Sequence, residues 1–256
     1  MPTSLKALWG DKPVLNGWCS IGSTFSAEIM ARQGYDAVTI DLQHGALDYH
    51  AALPMIQTMQ ATGVVPMVRV PWLDPAAIMK SLDAGAMGII CPMINSRDEA
   101  ERLVSYMRYP PHGQRSYGPT RAAIAHGGYG TDMNDAVVAL AMIETAEGVA
   151  NVEEIAATPG LDGIYVGPSD LTLGTQNGRL APGMDREEPE MIELIQHILS
   201  VCKSAGIRAC LHCASASYAA RAIGWGFDLT TVSGDSRLLA AAAKASVDEW
   251  RGLTGN

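Results

Sequence analysis

The chain has 256 residues, of which 48% are hydrophobic and 18% charged, so it has enough apolar material for one large core and is not a disordered chain. Its formal net charge is −9. Because no run of Lys or Arg offers a basic face to a phosphate backbone, the composition excludes a nucleic-acid-binding protein.

Short apolar runs alternate with longer helical patterns along the chain. The predicted strands are Val14–Ser20, Ala37–Asp41, Val64–Val70, Gly88–Pro92, Val137–Ile143, Gly163–Val166, Ile207–His212 and Leu229–Val232. The predicted helices are Ser23–Gln33, Tyr49–Thr62, Asp74–Ala84, Ser96–Arg108, Ala146–Ala157, Pro189–Ala205, Ser215–Ile223 and Ser236–Arg251. Such alternation indicates parallel strands joined by right-handed crossovers. Eight units in a chain of this length predict the α/β class and a (β/α)₈ TIM barrel, as a single domain over residues 1–256.

A doubly wound open sheet is the competing architecture. It usually carries a glycine-rich G-x-G-x-x-G turn after its first strand, and the segment Ser20–Thr24 lacks that spacing. The longest interruption of the alternation, Tyr109–Asp135, is rich in Gly and Pro. We interpret it as a long loop, and loops of this length in compact domains tend to be functional.

The five cysteines are odd in number and irregularly spaced, so they do not indicate a disulfide framework. No apolar run approaches the roughly 20 residues that a membrane span needs, and the N-terminus does not resemble a secretory leader. We therefore expect a reduced, cytoplasmic protein.

Polar side chains close four of the predicted strands. His44 follows the second strand, Arg69 ends the third, Glu144 follows the fifth and Asp170 follows the sixth. Since the carboxyl ends of all strands of a parallel barrel meet at one mouth, we expect these four side chains to converge there.

Each of these residues also has a plainer interpretation. Glu144 could be an acid at a helix start, Asp170 a helix N-cap, and Arg69 part of a structural ion pair. Two carboxylates from neighbouring strand ends would either share a proton or bind a hard divalent cation. Asp83, near the end of a predicted helix, either orients a histidine or serves as a cap.

His212 also lies at a strand end, between Cys210 and Cys213. Cys210 and Cys213 have the C-x-x-C spacing of zinc sites, but strand alternation places Cys213 on the opposite face from the other two residues. A structural role is the favoured interpretation.

Six ordered motifs give the chain a resemblance to the HpcH/HpaI aldolases, class II enzymes that act on 4-hydroxy-2-oxo acids. The motifs are Asp41-Leu42-Gln43-His44-Gly45, Val68-Arg69-Val70-Pro71-Trp72, Leu82-Asp83-Ala84-Gly85, Arg108-Tyr109-Pro110-Pro111-His112-Gly113-Gln114-Arg115, Ile143-Glu144-Thr145 and Gly167-Pro168-Ser169-Asp170-Leu171. The resemblance extends roughly from Gly17 to Leu239.

The resemblance implies a substrate and metal site. By position, Glu144 and Asp170 correspond to the metal ligands. Arg69 corresponds to the residue that holds the carboxylate and keto oxygen of the substrate. The backbone around Gly167 and Ser169 corresponds to a segment whose amides contact that carboxylate.

The resemblance also implies a catalytic pair and an assembly. His44 corresponds to the catalytic histidine, with Asp83 as the acid that orients it. Members assemble as hexamers through exchanged C-terminal helices, with active sites near subunit interfaces, and the Arg115–Arg121 loop is expected to contribute across such an interface.

Two positions depart from the family pattern, Gln43 where Glu is frequent and Met142 where Gln is frequent. Because of these two departures, the motifs do not identify the natural substrate. The partners implied are small 2-oxo acids and aldehydes, with neither nucleic acid nor membrane.

The predicted reaction is a metal-dependent aldol cleavage or addition between a pyruvate or hydroxypyruvate enolate and an aldehyde. The lysines lie in helices or near the terminus rather than at strand ends, which argues against Schiff-base chemistry. Oxygen-only protein ligands favour Mg²⁺ or Mn²⁺, with Co²⁺ or Zn²⁺ as substitutes.

Two other functions compete with this one. The first keeps the site but makes the chain an oxaloacetate decarboxylase or a malyl-type thioester lyase, although the sequence shows no basic groove for coenzyme A. The second is a barrel that binds a 2-oxo acid without catalysis. The complete set of His, Arg, Glu and Asp disfavours it.

Overall fold

The computed structural model of the chain describes residues 4–10 and 12–255. The strands are β1 (Val14–Cys19), β2 (Ala37–Asp41), β3 (Val65–Arg69), β4 (Gly88–Cys91), β5 (Val138–Ile143), β6 (Gly163–Val166), β7 (Arg208–Cys213) and β8 (Leu229–Val232). The helices are α1 (Leu5–Leu8), α2 (Thr24–Ala31), α3 (Tyr49–Thr62), α4 (Pro75–Ala84), α5 (Arg97–Met107), α6 (Thr120–His126), α7 (Met133–Ala136), α8 (Ala146–Ala150), α9 (Val152–Ala156), α10 (Pro168–Gln176), α11 (Pro189–Ala205), α12 (Ala216–Trp225) and α13 (Asp235–Thr254).

The strands form a closed barrel in sequence order, β1 to β8, and every pair is parallel. This confirms the predicted TIM barrel and rules out the open sheet. The strands are almost entirely buried, because side chains on one face fill the barrel interior and those on the other pack against the helices.

Local capping explains where many helices begin and end. Asp48 and Asp74 accept backbone N–H hydrogen bonds in the first turns of α3 and α4, which satisfies amides that have no partner within the helix. Gly85 ends α4 with φ +110°, a conformation that a side chain with a Cβ rarely adopts.

The structure corrects the prediction in three places. The segment Tyr109–Asp135 is not a continuous loop, because it contains α6 and α7. The helix predicted over Ala146–Ala157 is two short helices, α8 and α9. Sequence reasoning also missed α10, whose first residue is Pro168, a proline that suits the first turn of a helix.

The last helix differs from the others. Among the described residues of α13, only Asp235 is buried, while Leu239, Trp250 and Leu253 are 63%, 59% and 80% exposed. These large apolar side chains of α13 are therefore not buried against the barrel of their own chain. Within the described part of the chain, no helix is both long and apolar enough to cross a bilayer.

Candidate active site

An open cavity of about 270 Å³ lies at the carboxyl ends of the strands. Its wall includes five of the seven residues that the sequence assigned to the site, namely His44, Arg69, Gly167, Ser169 and Asp170. Topology brings them together, since each follows or ends a strand at the same end of the barrel.

Arg69 forms a two-pronged ion pair with Asp41 from the neighbouring strand. Arg69 Nε and Nη2 donate to Asp41 Oδ1 and Oδ2 over 2.9 and 2.7 Å, as the register of β2 against β3 places the two residues side by side. Trp18 Nε1 donates to the same carboxylate over 3.2 Å, and the Arg69 guanidinium lies 4.8 Å from the Trp18 ring centroid. The Arg69 side chain is thus held in one orientation at the cavity wall.

Asp41 is a fully partnered acid. Besides Arg69 and Trp18, its Oδ1 accepts from the backbone N–H groups of Gln43 and His44. Burial opposes ionisation of this carboxyl, but the hydrogen bonds and charge of Arg69 outweigh it and hold its pKa below the ordinary value. Sequence reasoning gave Asp41 no role, although its position as the last residue of a strand beside Arg69 could have indicated one.

Glu144 is a partly partnered acid. Its Oε1 accepts from the Met93 N–H over 2.9 Å, whereas Oε2 is buried with no hydrogen-bond partner among the residues that the structure describes. Burial, with the nearby negative charge of Asp170, raises the pKa of Glu144 to about 7, against the opposing effects of the Met93 N–H and the Arg69 charge. Met93 makes its contact from a left-handed backbone conformation, φ +58°, and strain of this kind gathers at functional sites.

Gly167 lies directly against the free oxygen of Glu144. A Cβ on Gly167 would come within 2.5 Å of Glu144 Oε2 and 2.4 Å of Met142 Cε, distances that are too short for any side chain. Glycine at this position therefore allows the β6–α10 turn to approach the carboxylate.

The α10 turn supplies Asp170 and a free amide. Asp170 lies in the first turn of α10 and lines the cavity, and its charge acts on Glu144. The Ser169 N–H is in the same turn, where helical amides lack intrahelical partners. The Gly167 N–H is instead directed to Ile143 O, over a long 3.4 Å.

Asp83 does not lie at the mouth. As in every β/α unit of a barrel, α4 runs back from the mouth, so its last residues reach the amino end of β4. There Asp83 accepts from Arg115 Nη2 over 2.6 Å, and Arg115 also contacts the rings of Tyr109 and Tyr129. Within one chain Asp83 is therefore paired with Arg115. The expected pairing of Asp83 with His44 does not occur between residues of the same chain.

His212 was given no functional role from the sequence, yet it lines the cavity. Its Nδ1 lies 2.9 Å from the Tyr165 hydroxyl, and its ring packs edge-on against Trp18. Burial, with the charge of Arg69, lowers the pKa of His212 to about 3, so the ring is neutral. The structural interpretation of the adjacent cysteines agrees with their burial, which raises the pKa of the Cys210 and Cys213 thiols well above the ordinary value.

In the described residues, no group of three or more His, Cys, Asp or Glu side chains forms a metal cluster. A cation here would have two carboxylates as protein ligands and would complete its shell with substrate or water oxygens. Glu144 Oε2, a buried acceptor without a donor, has the chemistry that such a cation needs.

The chain is similar to known proteins over most of its length. Residues 18–242 match the family described as HpcH/HpaI aldolase/citrate lyase. A hydroxypyruvate/pyruvate aldolase of Rhizorhabdus wittichii is 41% identical over 251 residues, 97% of this chain and 99% of that protein. Another from Chromohalobacter salexigens is 34% identical and covers 92% of each chain.

A solved structure of the same family is also similar to this chain over most of its length. A crystal structure of an HpcH/HpaI aldolase/citrate lyase family protein from Burkholderia cenocepacia superposes with a TM-score of 0.86 at 32% identity, covering 94% of this chain and 96% of that one. Aldolase-named relatives in an aldolase and lyase family indicate a carbon–carbon lyase. The chain belongs to the HpcH/HpaI aldolase/citrate lyase family.

Proposed function

We propose that the chain is a metal-dependent class II aldolase, which forms or cleaves the bond between the enolate of pyruvate or hydroxypyruvate and an aldehyde. The observation that carries the proposal is the buried Oε2 of Glu144, which has no hydrogen-bond partner in residues 4–10 and 12–255 and feels the charges of Asp170 and Arg69. The names of the two hydroxypyruvate/pyruvate aldolase relatives support the choice of donor.

Glu144 and Asp170 would hold the cation. Both offer only oxygen, which favours Mg²⁺ or Mn²⁺, with Co²⁺ or Zn²⁺ as substitutes. Once bound, a divalent cation supplies Lewis-acid polarisation of the 2-oxo group, worth several kcal/mol of charge stabilisation. The lack of a donor at Oε2 leaves that oxygen free for this role.

The remaining side chains divide the work of binding and proton transfer. Arg69, fixed by Asp41, provides a positive charge where the enolate oxygen develops its negative charge. The Ser169 amide offers a donor for the substrate carboxylate. His44, exposed at the cavity rim, would take the proton from the C4 hydroxyl during cleavage and return one during synthesis.

A role of Asp83 toward His44 requires a second copy of the chain. Asp83 and the Arg115–Arg121 loop lie at the end of the barrel opposite the mouth, where Tyr117 and Ile124 are 68% and 82% exposed. We infer that this end of one copy lies near the mouth of another. The exposed apolar face of α13 supports assembly through the C-terminal helices, and the hexamer is the assembly we propose.

Removal of the metal tests the reaction. A chelator should abolish release of pyruvate from a 4-hydroxy-2-oxo acid, and Mg²⁺ or Mn²⁺ should restore it. Metal addition should also raise the melting temperature of the wild type but not that of Glu144→Gln, because a ligand that binds only the native state stabilises it. Undiminished turnover in the chelated enzyme contradicts the proposal.

Mixed assemblies test the shared site. His44→Ala and Asp83→Ala should each be inactive alone. When the two variants are unfolded and refolded together, some interfaces combine an intact His44 with an intact Asp83, so part of the activity should return. Refolding each variant alone is the control, and no recovery in the mixture would contradict a shared site formed by His44 of one copy and Asp83 of another.

A further inference from the structure

His212 lines the mouth cavity but has no part in the mechanism above. We infer that a chain of hydrogen bonds inside the barrel fixes the tautomer of His212, so that its Nε2–H group binds a hydroxyl oxygen of the substrate. The inference deepens the proposed aldolase function and rests on it for the identity of the substrate. The tautomer itself can be tested without any assay of activity.

The series of hydrogen bonds connects four strands, β1, β8, β6 and β7, through buried groups. Asn16 Nδ2 donates to Thr231 Oγ1 over 2.8 Å. Thr231 Oγ1 lies 2.6 Å from the Tyr165 hydroxyl, which lies 2.9 Å from His212 Nδ1. Asn16, Tyr165 and Thr231 are fully buried, so each of their polar hydrogens needs an acceptor within the protein.

The direction of donation along this series of hydrogen bonds follows from counting the hydrogens that each group carries. Thr231 Oγ1 already accepts from Asn16, whose amide nitrogen cannot accept in return, so its own hydrogen goes to the Tyr165 oxygen. The Tyr165 hydrogen is then left for His212 Nδ1. A histidine that accepts at Nδ1 carries its hydrogen on Nε2.

The position and charge state of the ring complete the argument. The Trp18 ring holds the imidazole edge-on, with centroids 4.7 Å apart. The ring is neutral because burial and the charge of Arg69 lower the pKa of His212 to about 3. Nε2 forms no hydrogen bond within residues 4–10 and 12–255, so its hydrogen is available to a ligand in the cavity.

A neutral N–H donor selects an oxygen acceptor. Besides the carboxylate and carbonyl oxygens common to all the proposed substrate pairs, a hydroxyl acceptor occurs at two places, C3 of hydroxypyruvate and C2 of a hydroxyaldehyde. An apolar side chain at position 212 would leave either hydroxyl without this donor. Loss of one neutral hydrogen bond of this kind weakens binding about five- to tenfold.

Nitrogen-15 NMR of histidine-labelled protein tests the tautomer. The wild type should show His212 protonated at Nε2, with the signal assigned by its loss in His212→Gln. Thr231→Val removes the donor to Tyr165, so the signal should shift toward a mixture of tautomers. Thr39→Val is the matched control, because Thr39 is equally buried and also bonded to Asn16 but does not contact Tyr165.

Two results of that measurement overturn the inference. One is an Nδ1–H tautomer in the wild type. The other is an Nε2–H tautomer that persists unchanged in Thr231→Val, since the hydrogen-bond chain would then not be its cause.

Paired substrates test the hydroxyl contact. Pyruvate and hydroxypyruvate are each combined with acetaldehyde and with glycolaldehyde. His212→Leu should lower kcat/KM about five- to tenfold for the pairs that contain the recognised hydroxyl, and little for pyruvate with acetaldehyde. His212→Gln, which keeps an N–H near the Nε2 position, should retain most of the activity, and melting curves verify that both variants fold.

The four substrate pairs separate the possible outcomes. A loss confined to glycolaldehyde places the recognised hydroxyl on the aldehyde, and a loss confined to hydroxypyruvate places it on the 2-oxo acid; both support the inference. An equal loss for all four pairs overturns it. A wild type inactive with every pair contradicts the proposed function instead, and the NMR measurement still decides on the tautomer.

Discussion

The two buried carboxylates at the mouth, Asp41 and Glu144, are equally shielded, with 2% of each residue exposed, but their hydrogen bonding differs. Asp41 has donors on both oxygens, from Arg69, Trp18 and two backbone amides. Within the described part of the chain, Glu144 has a single donor, the Met93 N–H, and its Oε2 has none.

This difference in hydrogen bonding distinguishes a positioning group, Asp41, from a proposed binding group, Glu144. A buried charge with all its partners present is stable as it stands and orients its neighbours. A buried carboxylate oxygen without a donor carries a desolvation cost that a bound cation could offset. We therefore propose that Asp41 orients Arg69 and that Glu144 binds the cation.

The largest expected effect concerns the binding group. Glu144→Gln should lower kcat/KM for pyruvate release about a thousandfold, equivalent to about 4 kcal/mol of lost transition-state stabilisation. Its free energy of unfolding, measured by urea without metal, should stay within about 1 kcal/mol of the wild type, because the amide keeps an oxygen acceptor for the Met93 N–H and Oε2 makes no hydrogen bond that could be lost. A large loss of stability in this variant would erase the distinction between the two acids.

Replacement of Asp41, the positioning group, should lower the free energy of unfolding, unlike replacement of Glu144. Asp41→Asn leaves the buried Arg69 guanidinium without its counter-charge and should cost about 3 kcal/mol in the free energy of unfolding. Asp98→Asn is the matched control, because Asp98 pairs with Arg102 on an exposed helix face and should cost about 0.5 kcal/mol or less. Equal losses in the two variants would mean that burial of the Asp41 pair has no energetic consequence.

Gly167→Ala probes the space around the free oxygen. The added methyl would overlap Glu144 Oε2 and Met142 Cε, so we expect the metal affinity to fall about tenfold, as for groups that orient metal ligands. Titration calorimetry with Mn²⁺ measures it. Gly224→Ala in α12 is the control, since no atom lies within 4 Å of its Cβ position, and its affinity should not change.

The smallest effect is the pH dependence of the Asp41 pair. Arg69 holds the pKa of Asp41 below its ordinary 3.8, so its stabilisation is complete above that value and is lost as the pH falls through the lower folded-state pKa. Below about pH 4 the free energy of unfolding should fall more steeply in the wild type than in Asp41→Asn, by at most about 1.4 kcal/mol per pH unit. Urea unfolding at a series of pH values measures both slopes, and parallel slopes would contradict the assignment.

Much of the site followed from the order of residues alone. The eight apolar runs predicted the barrel, and once the strands are parallel the residues that close them must meet at one mouth. His44, Arg69, Gly167, Ser169 and Asp170 line one cavity for that reason.

Other features depended on the packed structure. Asp41 and Arg69 are 28 positions apart, and only the strand register makes them a pair. The tautomer of His212 is set by groups from three other strands. Sequence spacing contains neither fact, because a hydrogen bond depends on distances between side chains in space.

By itself, the sequence determined the eight strands, most of the long helices, the closure of the barrel and the residue types at its mouth, since periodicity and capping act locally along the chain. Only the tertiary structure decided which acid is partnered and which is not, and that Asp83 lies at the far end from His44. The physical reason is that burial and partner geometry, which set the charge and availability of a group, are properties of the folded chain as a whole.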